Sequence, residues 1–362
     1  MRYQVSGGKA ALLLLGAAVL FLTLFPKGTG GAGMEAILLY FRLQERESPS
    51  GELWVASLSG RTWRLADGVR AGEAAWSPDG TKIVYLKRHL LPWPREAGYE
   101  HGEYEFWVAD PADQSTYMIH KFMSEPGFSA LGELVWWFDG RIYFGAMVAN
   151  GVVEVYSIRP DGSDLRSEDF YYAYAFWLHP GGLISGLDRY FSAALYDRTA
   201  KRLVELPEGF YELETLSFSP SGRKAVARRG SEAVLFDFET GEERVLFPCE
   251  VAAQWYWPPG KAISWSPDER YLAVAASWDG DEEIYVFDLG SGETISLTEN
   301  DHQDLFPISS PDGERLAYVS DEGRGNCLRV ISLETGEDSV VVCSQGVLGY
   351  PRWRSEAAPS AS

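Results

Sequence analysis

Between Ile263 and Val342, short runs of alternating apolar and polar residues are broken by turn residues, and the whole pattern occurs twice. In the first copy Tyr271, Ala273 and Ala275 fall on one face and Leu272, Val274 and Ala276 on the other, the period of two that marks a strand. A short apolar piece ending at Trp265 precedes this strand, and Glu283 to Phe287 and Thr294 to Leu297 follow it. The entry turn is Ser266-Pro267-Asp268-Glu269, and it recurs as Ser310-Pro311-Asp312-Gly313. Proline presets φ at the first corner, Asp bonds its own backbone, and Gly accepts positive φ. A second turn, Asp288 to Glu293, joins the last two strands. Each unit is therefore predicted to be a four-stranded meander, which cannot bury both faces alone. Radial stacking of several such sheets removes the difficulty and shields their edges.

The same signals recur along the chain. The entry turn appears at Ser77-Pro78-Asp79-Gly80 and Ser219-Pro220-Ser221-Gly222, and in degenerate form at Phe138-Asp139-Gly140 and His179-Pro180-Gly181-Gly182. Aligning Trp76, Trp136, Trp177, Phe218, Trp265, Ser309 and Trp353 gives spacings of 60, 41, 41, 47, 44 and 44 residues. The second turn recurs near Ser57 to Gly60, Asp110 to Asp113, Arg159 to Gly162, Asp197 to Ala200, Asp237 to Gly241, Asp288 to Gly292 and Ser332 to Gly336. A period of 40 to 45 residues with four strands is the mark of a propeller. The last start, Tyr350 to Trp353, has no strands after it, and the first hairpin lacks a first strand. Together they complete one unit, so the ends of the chain are expected to close the ring.

The runs AAWSPDGTKIVYLKR, LSFSPSGRKAVARRG, ISWSPDERYLAVAAS and ISSPDGERLAYVSDE, with DGDEEIYVFD and ISLTENDHQDLFP, resemble the WD40-like repeats of TolB-type β-propellers. The resemblance is strong over residues 216–342, good over 70–88 and weak over 134–206. It implies a fold and carries no catalytic residues, since the matched positions are turn and packing positions. Propellers of this type are mostly six-bladed. The expected fold is all-β, a seven-bladed β-propeller with six blades as the alternative, preceded by one N-terminal hydrophobic helix. Residues 1–33 are expected to be a signal or anchor segment with a Gly-rich tether. Residues 34–356 would be the propeller, closed by a strand at 350–354, and 357–362 a disordered tail.

Arg2 and Lys9 precede an unbroken apolar run from Ala10 to Phe25, ended by Pro26 and Lys27. A basic flank before an apolar run directs the following chain across a membrane. Its sixteen residues fall between a signal core and a spanning helix, which needs roughly 17–25. Residues 10–25 are read as an anchor, with secretion after cleavage as the alternative. The net charge is −20, and since residues 1–33 carry Arg2, Lys9 and Lys27 and no acid, the remainder carries −20 − 3 = −23. So acidic a domain repels nucleic acid and anionic lipid. Cys327 and Cys343 flank the hairpin at Glu334-Thr335-Gly336-Glu337, which places them nearly opposite on neighbouring strands. An exported compartment permits a disulfide there, while two buried thiols remain the alternative.

On this layout one face of the disc carries tight turns and the other long aromatic connections. The latter are the insertion His89 to Tyr104, Asp169 to Tyr174, Gly209 to Tyr211, Gln254 to Trp257 and Asn300 to His302. Loops on a rigid scaffold are where binding concentrates, and aromatics with polar tips favour interfaces. Trp93, Tyr99, His101, Tyr171, Tyr172, Tyr211, Trp255, Trp257 and His302 are the candidate binding face; the competing reading of each is a ring that caps a blade end. No Gly-x-Ser-x-Gly elbow, P-loop or dinucleotide motif occurs. The five histidines are scattered without metal-ligand spacing, and no metal or cofactor is expected. The sequence points to a monomeric, non-catalytic extracytoplasmic scaffold binding a protein, peptide or glycan. An exported carbohydrate-active, lyase-like or peptide-processing enzyme is the alternative.

Overall fold

The computed structural model describes residues 37–44, 50–90, 102–123, 129–130, 134–149, 152–172, 176–179, 182–187, 193–206, 210, 214–248, 263–277, 281–323 and 325–354. Among them the regular structure is β-strand, with no α-helix, and the paired strands are antiparallel. The apolar run 10–25, the tether and the tail 357–362 lie outside the described residues. No helix of the described residues is long and apolar enough to cross a membrane.

Six sheets follow one another along the chain. The first has the order Val347–Trp353, Ile37–Leu43, Ser50–Ser57, Thr62–Trp76, Ile83–Leu90, Gly102–Ala109 and Thr116–Met123. In the second, Ser129–Ala130 and Val135–Trp136 both pair with Ile142–Ala149, followed by Val152–Ile158 and Arg166–Tyr172. The third holds Phe176–His179, Leu183–Leu187, Ala193–Asp197 and Arg202–Val204, and the fourth Glu214–Phe218, Lys224–Arg229, Glu232–Asp237 and Glu243–Pro248. The fifth holds Ile263–Trp265, Tyr271–Ala276, Glu283–Asp288 and Thr294–Ser296, and the sixth Gln303–Ser309, Arg315–Asp321, Asn326–Ser332 and Asp338–Ser344. The C-terminal strand pairs with the N-terminal one, Leu38 opposite Trp353 and Leu43 opposite Val347.

The turns show why these residues form these hairpins. The Ser266 hydroxyl donates to Asp268 Oδ1 at 2.6 Å and accepts from the Tyr271 amide at 2.9 Å. Ser77 repeats this with Asp79 at 2.6 Å and the Lys82 amide at 2.8 Å, and Ser310 with Asp312 and the Arg315 amide. Gly80, Gly222 and Gly313 supply positive φ at the last corner, where a Cβ is strained. In the fifth sheet Glu269 occupies that corner at φ 58. Its carboxylate compensates by accepting from the Ser221 amide and facing Lys224 Nζ at 3.7 Å, both in the fourth sheet.

The core lies between sheets. Val226, Ala233 and Phe247 of the fourth pack on Ile263, Leu272, Val274 and Phe287 of the fifth. Ala273, Ala275 and Val286 of the fifth meet Leu316, Tyr318 and Ile331 of the sixth. The sixth then meets the first through Ala317, Val319 and Leu328 against Leu38, Tyr40 and Ala56. Similar clusters join first to second, second to third and third to fourth. Each Val, Leu, Ile or Phe so buried contributes about 1.5–3 kcal/mol. The result is a propeller-like succession of sheets in which the last packs on the first.

Candidate functional site

The first strands of the third to sixth sheets, with the C-terminal strand, converge on one cavity of about 270 Å³. Its wall includes Trp177, His179, Trp265, Phe306, Tyr350 and Arg352. Neighbouring first strands are tied together there. Trp265 Nε1 donates to Ser217 Oγ at 3.2 Å, the Ser309 amide to Ser264 Oγ at 3.0 Å, and Trp353 Nε1 to the Ile308 carbonyl at 2.9 Å. Each bond spans 45 to 48 residues, about one repeat, so the repeat itself builds the cavity wall.

Two wall residues stand out by backbone geometry. Phe306 and Tyr350 have φ of 55° and 54°, the left-handed region that bulky residues avoid. Each sits where its strand's pairing slips: between Leu305 and Ile308 in one, and opposite the Leu39–Phe41 irregularity in the other. Their rings lie 5.4 Å apart, tilted by 36°, and Phe41 meets Tyr350 edge-on at 6.2 Å. Burial pushes the Tyr350 hydroxyl above the usual phenol range.

His179 is the cavity's histidine, and it is committed to structure. Its Nδ1 lies 3.2 Å from the Pro220 carbonyl, which can only accept, so Nδ1 carries the proton. Nε2 therefore accepts from the Ser185 hydroxyl at 2.7 Å. Burial, only partly opposed by the Pro220 hydrogen bond, pulls the imidazole down to about 4, so it is neutral at pH 7. Ser185 is fully buried, so this Ser–His pair cannot meet a substrate. Gly222 is required beside it, because a Cβ there would lie 2.7 Å from the His179 ring.

The face expected from sequence is described in only three places. Trp93, Tyr99, His101, Tyr211, Trp255 and Trp257 lie outside the described residues. Tyr171 and Tyr172 fall in the outer strand Arg166–Tyr172 of the second sheet, rather than in a connection, because Tyr171 and Glu154 stand opposite in the ladder. Tyr171 is 53% exposed. His89 and Tyr104 likewise belong to paired strands, which narrows the expected insertion to 91–101. His302 is half-buried in a turn held by the Asn300 side chain, whose Oδ1 accepts from the His302 amide at 2.8 Å. That turn rests on two buried acids. Glu283 Oε1 accepts from the Asn300 amide at 2.7 Å, and Asp304 Oδ2 from Asn300 Nδ2 at 2.8 Å. Burial raises both carboxyls above their ordinary range. Cys327 and Cys343 stand opposite in the sixth sheet and are joined by a disulfide.

No family model matches the chain. A stretch of 53 residues is 40% identical to a protein TolB homolog of Chlorobium chlorochromatii, covering 15% of this chain and 12% of that protein. A stretch of 88 residues is 31% identical to the Tol-Pal system protein TolB of Hydrogenovibrio crunogenus, covering 24% and 20%. Over these stretches the repeats are similar to those of TolB proteins. The matches span no more than a fifth of those TolB relatives. Among solved structures, the chain is similar to an oligogalacturonate lyase of Vibrio parahaemolyticus, with TM-score 0.57, 10% identity, and 83% and 91% of the two chains covered. It is also similar to a puromycin-hydrolyzing peptidase of Mycobacterium tuberculosis, with TM-score 0.57, 14% identity, and 91% and 55% covered. At such identities these likenesses show the fold alone.

The cavity wall is what sequence reasoning missed. A signal was present: Phe306-Pro307 and Tyr350-Pro351 are aromatic–proline pairs 44 residues apart, at the same repeat position.

Proposed function

We propose that the chain is a seven-bladed propeller on the extracytoplasmic side of the cell envelope, anchored by residues 10–25, whose central cavity receives a protein or peptide segment without chemical turnover. Support for seven blades comes from the first sheet. Its strand Thr62–Trp76 pairs with Ser50–Ser57 through its first half and mainly with Ile83–Leu90 through its second, with a slip between Val69 and Ala74. The two halves of that sheet then pack on each other through Leu53 and Val55 against Ile83 and Tyr85. Counted separately, the two halves are two blades beside the other five sheets, seven in all. The envelope address is supported by the TolB-type repeats and by Arg2 and Lys9 ahead of the apolar run.

The observation that carries recognition is the Phe306–Tyr350 pair. A left-handed bulky residue costs about 1–2 kcal/mol, and backbone strain of this kind concentrates where a ligand is met. Two such residues at equivalent positions present adjacent rings to one cavity. The enzyme reading draws on the fold likeness to the lyase and the peptidase. Against it, the cavity's histidine has both nitrogens engaged. A photo-crosslinking phenylalanine in place of Tyr350 tests the proposal in cells. The expected result is one discrete protein adduct, absent when the probe replaces Leu203, which is 65% exposed on an outer strand. Equal labelling from both positions, or turnover of oligogalacturonides or peptides by the purified chain, would overturn it.

A further inference from the structure

Three donor groups meet at the end of a strand pair in the first sheet. His89 stands directly opposite Glu103, and Glu105 lies two residues further along the second strand, hence on the same face. The His89 imidazole and the Glu103 and Glu105 carboxylates each offer an atom, all within 4.8 Å of one another. His89 Nε2 lies 3.4 Å from Glu105 Oε2. A tetrahedral ion with bonds of about 2.1 Å holds its ligand atoms about 3.4 Å apart.

We propose that His89, Glu103 and Glu105 form a binding site for a divalent transition-metal ion, with Zn²⁺ as the ion that one imidazole and two carboxylates suit. Antiparallel pairing fixes the spacing of the three donors, and His89 is exposed, so water can complete the coordination. The Trp107 indole donates to Glu105 Oε2 at 2.9 Å, the kind of outer contact that orients a ligating carboxylate. Partial burial pushes Glu105 up. The Trp107 hydrogen bond, His89 and Lys121 outweigh it and hold the carboxyl below its usual range.

Lys121 is the ion's competitor. Its ammonium lies 2.5 Å from Glu103 Oε1 and 3.7 Å from Glu105 Oε1. It is 43% exposed, and exposed pairs of this kind contribute little, so a doubly charged ion can displace it into water. Only Leu90 and Gly102 pair beyond His89 and Glu103. A bound ion would thus clamp the two strands where the 91–101 segment leaves them.

Titration of the chelator-stripped full chain with Zn²⁺, followed by calorimetry and by the visible absorption of Co²⁺ in its place, tests the site. Wild type is expected to bind, His89→Ala and Glu105→Gln each to weaken binding at least about tenfold, and Lys121→Met to tighten it. Circular dichroism checks that each variant is folded. Failure of the wild type to bind, unchanged affinity in His89→Ala and Glu105→Gln, or weaker binding in Lys121→Met would each overturn the assignment.

Discussion

In the fifth and sixth sheets the entry turn closes on itself. Ser266 and Ser310 each bond an Asp two residues on, and each accepts an amide five residues on. In the second sheet the Ser-Pro pair is missing, and a charge network takes its place. Arg141, nearly buried, donates through Nε to Ser157 Oγ at 2.8 Å and through a terminal nitrogen to Asp164 Oδ2 at 2.6 Å. The Ser157 hydroxyl donates to Glu168, which also accepts from Arg198 Nε of the third sheet at 3.1 Å. Arg198 lies over the Tyr143 ring at 4.9 Å, and the Tyr143 hydroxyl bonds Asp139. The serines of the regular entry turns therefore bond within five residues, whereas the bonds of Arg141, Ser157 and Arg198 reach partners 11 to 30 residues away. A local turn stands nearly alone, whereas removing Arg141 unpairs groups 16 and 23 residues away.

The largest effect should come from the network. Arg141→Ala leaves the hydroxyl and carbonyl oxygens of the buried Ser157 without their guanidinium donor, and each buried acceptor left unsatisfied costs about 1–3 kcal/mol. Urea unfolding should show this loss, and a change below about 1 kcal/mol would place the second sheet's stability elsewhere.

The junction between third and fourth sheets should give the next effect, through acid. His179 titrates at 6.5 unfolded and at about 4 folded. Between those values the unfolded chain binds a proton that the folded chain does not, so stability falls as pH drops from 6.5 to about 4 and this contribution is flat below. The loss is at most about 3 kcal/mol. Comparing unfolding midpoints of wild type and His179→Gln at pH 7.5 and pH 4 isolates it; parallel pH dependences would contradict the assignment.

The smallest effect belongs to the regular turns. Ser266→Ala removes one hydroxyl from a turn whose backbone bonds persist, at about 1 kcal/mol. A loss as large as that of Arg141→Ala would erase the distinction between the two regions.

That distinction also explains what could be read in advance. Turn chemistry is local, so Ser266-Pro267-Asp268 and Ser310-Pro311-Asp312 disclosed the strands on either side. Arg141, Asp164 and Arg198 look like any solvated charges in a sequence, because their partners are brought near only by folding. The site was less legible for a related reason. Aromatics in connections suggested a binding face, yet Tyr171 extends a ladder and most of that face lies outside the described residues. Phe306 and Tyr350 fall within strands, where alternation alone reads them as packing. Their left-handed backbone comes from slips in pairing, which no periodicity shows.

The cavity depends on the last strand pairing with the first, because Tyr350 and Arg352 reach it only through that pairing. Amide hydrogen exchange across Val347–Trp353 in the full chain measures this directly. The structure predicts protection comparable to that of Tyr271–Ala276, whose residues are all buried. Exchange of the C-terminal strand at the rate of a free peptide would contradict the closed ring and the cavity it encloses.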